Sequence, residues 1–84
     1  MKLDNRIIEL IAVGASVTAN CQPCLQYHVD KARENGASDT EINQAIDVAN
    51  KVRKGAAAKM DTFAAGVTGA AVAPGVQTEG CGCS

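Results

Sequence analysis

Ser38-Asp39-Thr40-Glu41-Ile42-Asn43-Gln44-Ala45-Ile46-Asp47-Val48-Ala49 reads as the opening of a helix. Ser38 and Glu41 stand at the spacing of a capping box, in which hydroxyl and carboxylate each take a backbone N–H that the first turn leaves unpaired. Ile42, Ala45, Ile46 and Ala49 then recur at helical spacing, and the same phase runs on through Val52, Ala56, Met60, Phe63 and Val67. This stripe is the expected core face of a long third helix. Gly55 is the point at which that helix is expected to kink or divide.

Two shorter helices precede it. Leu3, Ile7, Leu10, Ile11 and Val17 repeat at helical spacing, with Asp4 or Asn5 as the cap, so a first helix is expected from about Asp4 to Thr18. A polar break follows at Thr18-Ala19-Asn20. Pro23 suits the first turn of a second helix, where its missing N–H is not needed, and that helix should run to about Asn35 with Gly36 as its stop. There is no internal repeat and no strand-like alternation of useful length. The expected fold is all-α, a small helical domain over residues 1–71 followed by a Gly- and Pro-containing tail over 72–84 that carries Cys81 and Cys83.

Composition narrows the function. With 84 residues the chain is one domain, and 46% hydrophobic residues with 20% charged are ordinary for a globular protein. Much of that apolar count is alanine, and Tyr27 and Phe63 are the only aromatic residues. A core this thin is expected to be completed by neighbouring copies. A formal charge of −1 offers no basic field for nucleic acid or anionic lipid. Lys51, Arg53, Lys54 and Lys59 form a local basic cluster, read as a solvated helix face or, more sharply, as the seat of an acidic partner. Asp4, Arg6 and Glu9 interrupt the apolar run near the start, and no uncharged stretch has membrane-span length, so a soluble, cytoplasmic protein is expected.

The chemistry is in the cysteines, which fall in two close pairs, Cys21-Gln-Pro-Cys24 and Cys81-Gly-Cys83. Bridging so short a loop constrains an unfolded chain little, so such pairs point to redox or metal chemistry in a reducing compartment. Cys21 and Cys24 stand at a helix start, where unpaired N–H groups and the helix dipole stabilise a thiolate. At about 100° per residue, Cys21, Cys24 and His28 share one helical face within about two turns. One thiolate can attack while the other resolves the product as a disulfide, and the imidazole can move protons near neutral pH. From spacing alone Glu9 is most simply an exposed side chain.

The pattern Cys21-Gln-Pro-Cys24-Leu-Gln-Tyr-His28, with Glu9 twelve residues before the first cysteine, resembles the C-x-x-C-x-x-x-H redox branch of the alkylhydroperoxidase D/carboxymuconolactone decarboxylase-like family. The likeness covers roughly residues 4–68. It implies an all-helical fold assembling into trimers or hexamers, and thiol-dependent reduction of hydroperoxides. In that scheme Cys24 attacks the peroxide and becomes a sulfenic acid, Cys21 condenses with it to a disulfide, and Glu9 and His28 form the proton relay. Pro23 stands where some peroxidase members have a second histidine, and proline cannot relay a proton, so dithiol–disulfide exchange is the other role the motif suits. Helix-end physics by itself favours Cys21 as the attacking and more exposed thiol, whereas the resemblance favours Cys24.

The expected partners are therefore a hydroperoxide or disulfide substrate and a dithiol electron donor. The Cys81/Cys83 pair is an auxiliary dithiol, a soft-metal trap or an incidental end. The competing function is a binding protein that holds a soft metal or metalloid with Cys21, Cys24, His28 and either Glu9 or the tail thiols. A third is a plain helical oligomerisation module with inert cysteines. No acyl-transfer triad, no phosphate-cradling glycine loop and no bound organic cofactor is indicated.

Overall fold

A computed structural model describes residues 2–69, and the expected tail with Cys81 and Cys83 lies outside them. Three helices follow in order: α1 (Asn5–Thr18), α2 (Gln22–Glu34) and α3 (Asp39–Thr68). The described residues contain no strand. The all-α expectation holds.

The helix ends are set by local chemistry. The Asp4 carboxylate caps α1 by accepting the Ile7 N–H at 2.9 Å. At the other end Asn20 adopts the left-handed conformation (φ +58°). There the Cys21 N–H donates to the Ser16 carbonyl at 3.1 Å and the Asn20 N–H to the Val17 carbonyl at 3.1 Å. These two bonds form a Schellman motif, and asparagine tolerates its left-handed position better than most residues. The end of α2 repeats the device: Gly36 takes φ +94°, and the Ala37 N–H reaches back to the Ala32 carbonyl at 2.9 Å. The predicted capping box of α3 is reciprocal. The Glu41 N–H donates to the Ser38 hydroxyl at 3.1 Å, and the Ser38 N–H donates to the Glu41 carboxylate at 3.0 Å. Gly55 does not interrupt α3, which is one continuous helix.

Two compact units divide the chain, Met1–Lys51 and Val52 onward. In the first, Val13, Ala32, Ala37 and Ile42 form the buried centre, with Leu10, Leu25, Val29, Ala45 and Ile46 packed around it. Val13 is the one large side chain among the described residues that is fully buried. It was not in the predicted α1 stripe, although it lies three residues after Leu10 and four before Val17. Two members of that stripe, Leu3 and Ile11, are instead exposed. α1 approaches α3 closely at Gly14: a methyl group there would lie 3.5 Å from the Ala45 carbonyl oxygen and 3.9 Å from the Ala49 Cβ. Arg6 on α1 also forms an ion pair with Glu41 in the first turn of α3.

In the second unit the expectation for the α3 stripe fails. Val52, Met60, Phe63 and Val67 are 56–69% exposed, and no described residue from Val52 onward is buried. The helical phase was read correctly, but burial needs a partner surface, and the packed core ends with Ala49.

Candidate redox site

Cys21 is placed by two helices at once. Its backbone N–H closes the Schellman motif of α1, and its sulfur is the N-cap of α2, accepting the Cys24 N–H at 3.3 Å. Pro23 sits in the first turn of α2, as expected. Cys21 and Cys24 are joined by a disulfide, with Cα atoms 5.2 Å apart. Cys24 is exposed whereas Cys21 is half-buried, the reverse of the helix-start expectation. Cys21 is the N-cap, whose sulfur is engaged with the Cys24 N–H, whereas Cys24 lies past the cap in the first turn of α2.

His28 follows Cys24 by one turn, on the same face of α2. Because α1 packs against α2, the Glu9 carboxylate reaches the imidazole, with Oε1 2.7 Å from Nδ1. Their side chains are 20% and 30% exposed respectively, so the contact is shielded from bulk solvent on most sides. Glu9 is therefore not the free surface glutamate that its spacing suggested. In the tautomer with the proton on Nδ1, that N–H donates a hydrogen bond to the Glu9 carboxylate and Nε2 is left as the ring's other nitrogen for proton transfer.

The reading of the sequence missed the residues beside His28. The Tyr27 ring meets the imidazole edge-on, with centroids 5.0 Å apart and planes at 83°. Lys31 lies 5.7 Å from the centroid of the Tyr27 ring. The Glu34 carboxylate, 3.4 Å away, accepts from the Lys31 ammonium and holds its pKa above the ordinary value of 10.5. Helical spacing was the available signal, since Cys24, Tyr27, His28 and Lys31 follow one another at i, i+3, i+4 and i+7.

Residues 1–73 match the carboxymuconolactone decarboxylase family. The chain belongs to that family. It is 44% identical over 55 residues to uncharacterized protein 4 in the cox locus of Paracoccus denitrificans, a stretch covering 66% of this chain and 50% of that protein. The chain thus spans about half the length of that relative. No solved structure matches.

The family resemblance read from the cysteine motif is therefore upheld. Among the described residues, no group of three or more His, Cys, Asp and Glu side chains is arranged to hold a metal ion. No helix among them is long and apolar enough to cross a membrane.

Proposed function

We propose that this member of the carboxymuconolactone decarboxylase family is a thiol-dependent oxidoreductase that reduces a hydroperoxide or a disulfide with the Cys21/Cys24 dithiol. The observation that carries the reading is the 2.7 Å Glu9–His28 contact one helical turn beyond a disulfide at a helix start. A structural disulfide has no need of a carboxylate-oriented imidazole beside it, whereas a cycling dithiol needs a group to take and return protons.

With a hydroperoxide, the Cys24 thiolate attacks the terminal oxygen, the O–O bond breaks and the alcohol leaves with a proton from His28. Cys24 is then a sulfenic acid. Cys21 gives its thiol proton to His28, its thiolate attacks that sulfur, the S–O bond breaks, and the leaving hydroxide takes that proton to depart as water as the disulfide forms. A dithiol donor gives two electrons and two protons to reopen it. With a disulfide acceptor, Cys24 instead forms a mixed disulfide that Cys21 resolves, and no sulfenic acid arises. Glu9 fixes the His28 ring and its tautomer in both cases. Exposure of Cys24 and capping by Cys21 support Cys24 as the attacking sulfur.

The test is steady-state turnover of hydrogen peroxide and of an aromatic disulfide with dithiothreitol as donor. Cys24→Ser should abolish turnover of both. Glu9→Gln and His28→Ala should lower it by about 10²–10⁴-fold, the usual worth of a positioned proton-transfer group. A sulfenic acid trapped by dimedone in Cys21→Ser alone assigns the peroxide route. Equal rates in the wild type and all four variants would end the redox reading.

A further inference from the structure

Of the chain's asparagines, only Asn35 precedes a glycine, and the Asn35–Gly36 pair stands at the end of α2. Glycine puts no side chain beside its nitrogen, so that nitrogen is free of steric cover for attack on the Asn35 side-chain amide carbon. Both residues are exposed, and nothing lies within 4 Å of where a Gly36 Cβ would stand. Water and space are therefore present, yet the fold holds the reacting atoms out of place. The five-membered ring of such an attack needs the Asn35 Cβ and the Gly36 nitrogen nearly eclipsed about the Cα–C bond, whereas ψ of 13° keeps them well apart. The Gly36 N–H is donated to the Arg33 carbonyl at 3.0 Å, and the Asn35 side-chain amide donates to the Lys31 carbonyl at 2.9 Å. The next bond, from the Ala37 N–H to the Ala32 carbonyl at 2.9 Å, joins two residues of the buried centre. Freeing the turn thus draws on the core, and its opening is tied to loss of that packing.

We propose that Asn35–Gly36 is a latent deamidation site, which the fold keeps closed and loss of the packed centre exposes. Once the turn is free, the Gly36 nitrogen bonds to the Asn35 side-chain carbon. The bond from that carbon to the amide nitrogen breaks, and ammonia leaves with the proton that Gly36 gives up. Water then opens the cyclic imide at either carbonyl, giving aspartate or isoaspartate, with no oxidant or reductant. Either product hinders closure of the turn. Aspartate replaces the donor to the Lys31 carbonyl with a negative charge at the negative end of the α2 dipole. Isoaspartate runs the main chain through Cβ and adds a methylene between the Ala32 carbonyl and the Ala37 N–H that must meet. The change is one-way, and it marks chains whose core has opened.

This site does not depend on the redox reading, and its test does not use turnover. The full chain is incubated across a guanidinium chloride series at mildly alkaline pH, with the unfolded fraction followed by circular dichroism. Peptide mass mapping reads the one-unit mass gain at Asn35 and separates aspartate from isoaspartate. The rate at Asn35 should rise at least about 10-fold from native to unfolding conditions and follow the unfolded fraction, because the open population sets it. This measurement needs no variant to fold. Asn35→Asp stands for one of the two products and should unfold at a lower denaturant midpoint than the wild type. The proposal is overturned by equal rates in native and unfolded chains, or by an unfolded chain that stays unmodified at Asn35. It is equally overturned by an Asn35→Asp midpoint at or above that of the wild type.

Discussion

Breaking the Cys21–Cys24 bond should leave the fold standing. The bridge closes a loop of four residues, counting both cysteines. The chain-entropy relation for so small a loop gives about 2 kcal/mol of stabilisation at most. For a domain of this size that corresponds to a fall in Tm of roughly 8–16 °C. The capping bond survives reduction, because a Cys21 thiol or thiolate still accepts the Cys24 N–H that the disulfide sulfur accepts at 3.3 Å. Cys24→Ser should therefore match the reduced wild type, and Cys21→Ser should do the same, since serine is a good N-cap. Cys21→Ala should lose about 1 kcal/mol more, the usual value of a missing cap. Thermal melts followed by far-UV circular dichroism, oxidised against reduced, measure each difference. A reduced chain that has lost its helices at room temperature would refute the reasoning: the bridge would then be a staple, and a catalytic cycle would unfold the protein at every turnover.

Gly14→Ala should raise stability by about 1 kcal/mol, because alanine is that much the better helix residue and the new methyl would make ordinary contacts with Ala45 and Ala49. Gly14→Leu should instead lower stability by about 1–3 kcal/mol through overpacking against α3, and denaturant titration of both variants reads the sign. Acid should weaken the fold through Glu41, whose carboxyl is held below its ordinary value of 4.5 by the Ser38 N–H and then by Arg6. A carboxyl depressed in the folded state stabilises above its unfolded pKa and loses that contribution as pH falls through the folded value. Glu41→Gln should therefore flatten the stability curve below about pH 4.5, and an unchanged slope would place the acid sensitivity elsewhere.

Opening the Cys21–Cys24 bridge and keeping the fold are separable because the bridge lies at the junction of two helices and outside the buried centre. The centre consists of Val13, Ala32, Ala37 and Ile42. Cys21 is tied to the helices by its N–H bond to the Ser16 carbonyl, by its carbonyl, which accepts the Leu25 N–H at 3.0 Å, and by its sulfur cap on α2. Opening the bridge should thus alter a helix end and leave the packing between helices intact.

The helices and their ends were legible from residue order alone. The Asp4 cap, the Ser38/Glu41 box, Pro23 in the first turn and the Gly36 stop are all set within five residues along the chain, where local hydrogen bonds outweigh anything distant. The C-x-x-C-x-x-x-H spacing was legible for the same reason, since a helix turns spacing into a shared face. Three features were decided only by tertiary structure. Glu9 and His28 are 19 positions apart and meet because the left-handed turn at Asn20 folds α2 back along α1. Val13, not Ile11, became the buried anchor of α1 because the direction from which α2 and α3 arrive selects the inward side of the helix. The α3 stripe beyond Val52 has the period of a core and is exposed, since periodicity states which side chains can be buried together and only a facing surface removes them from water.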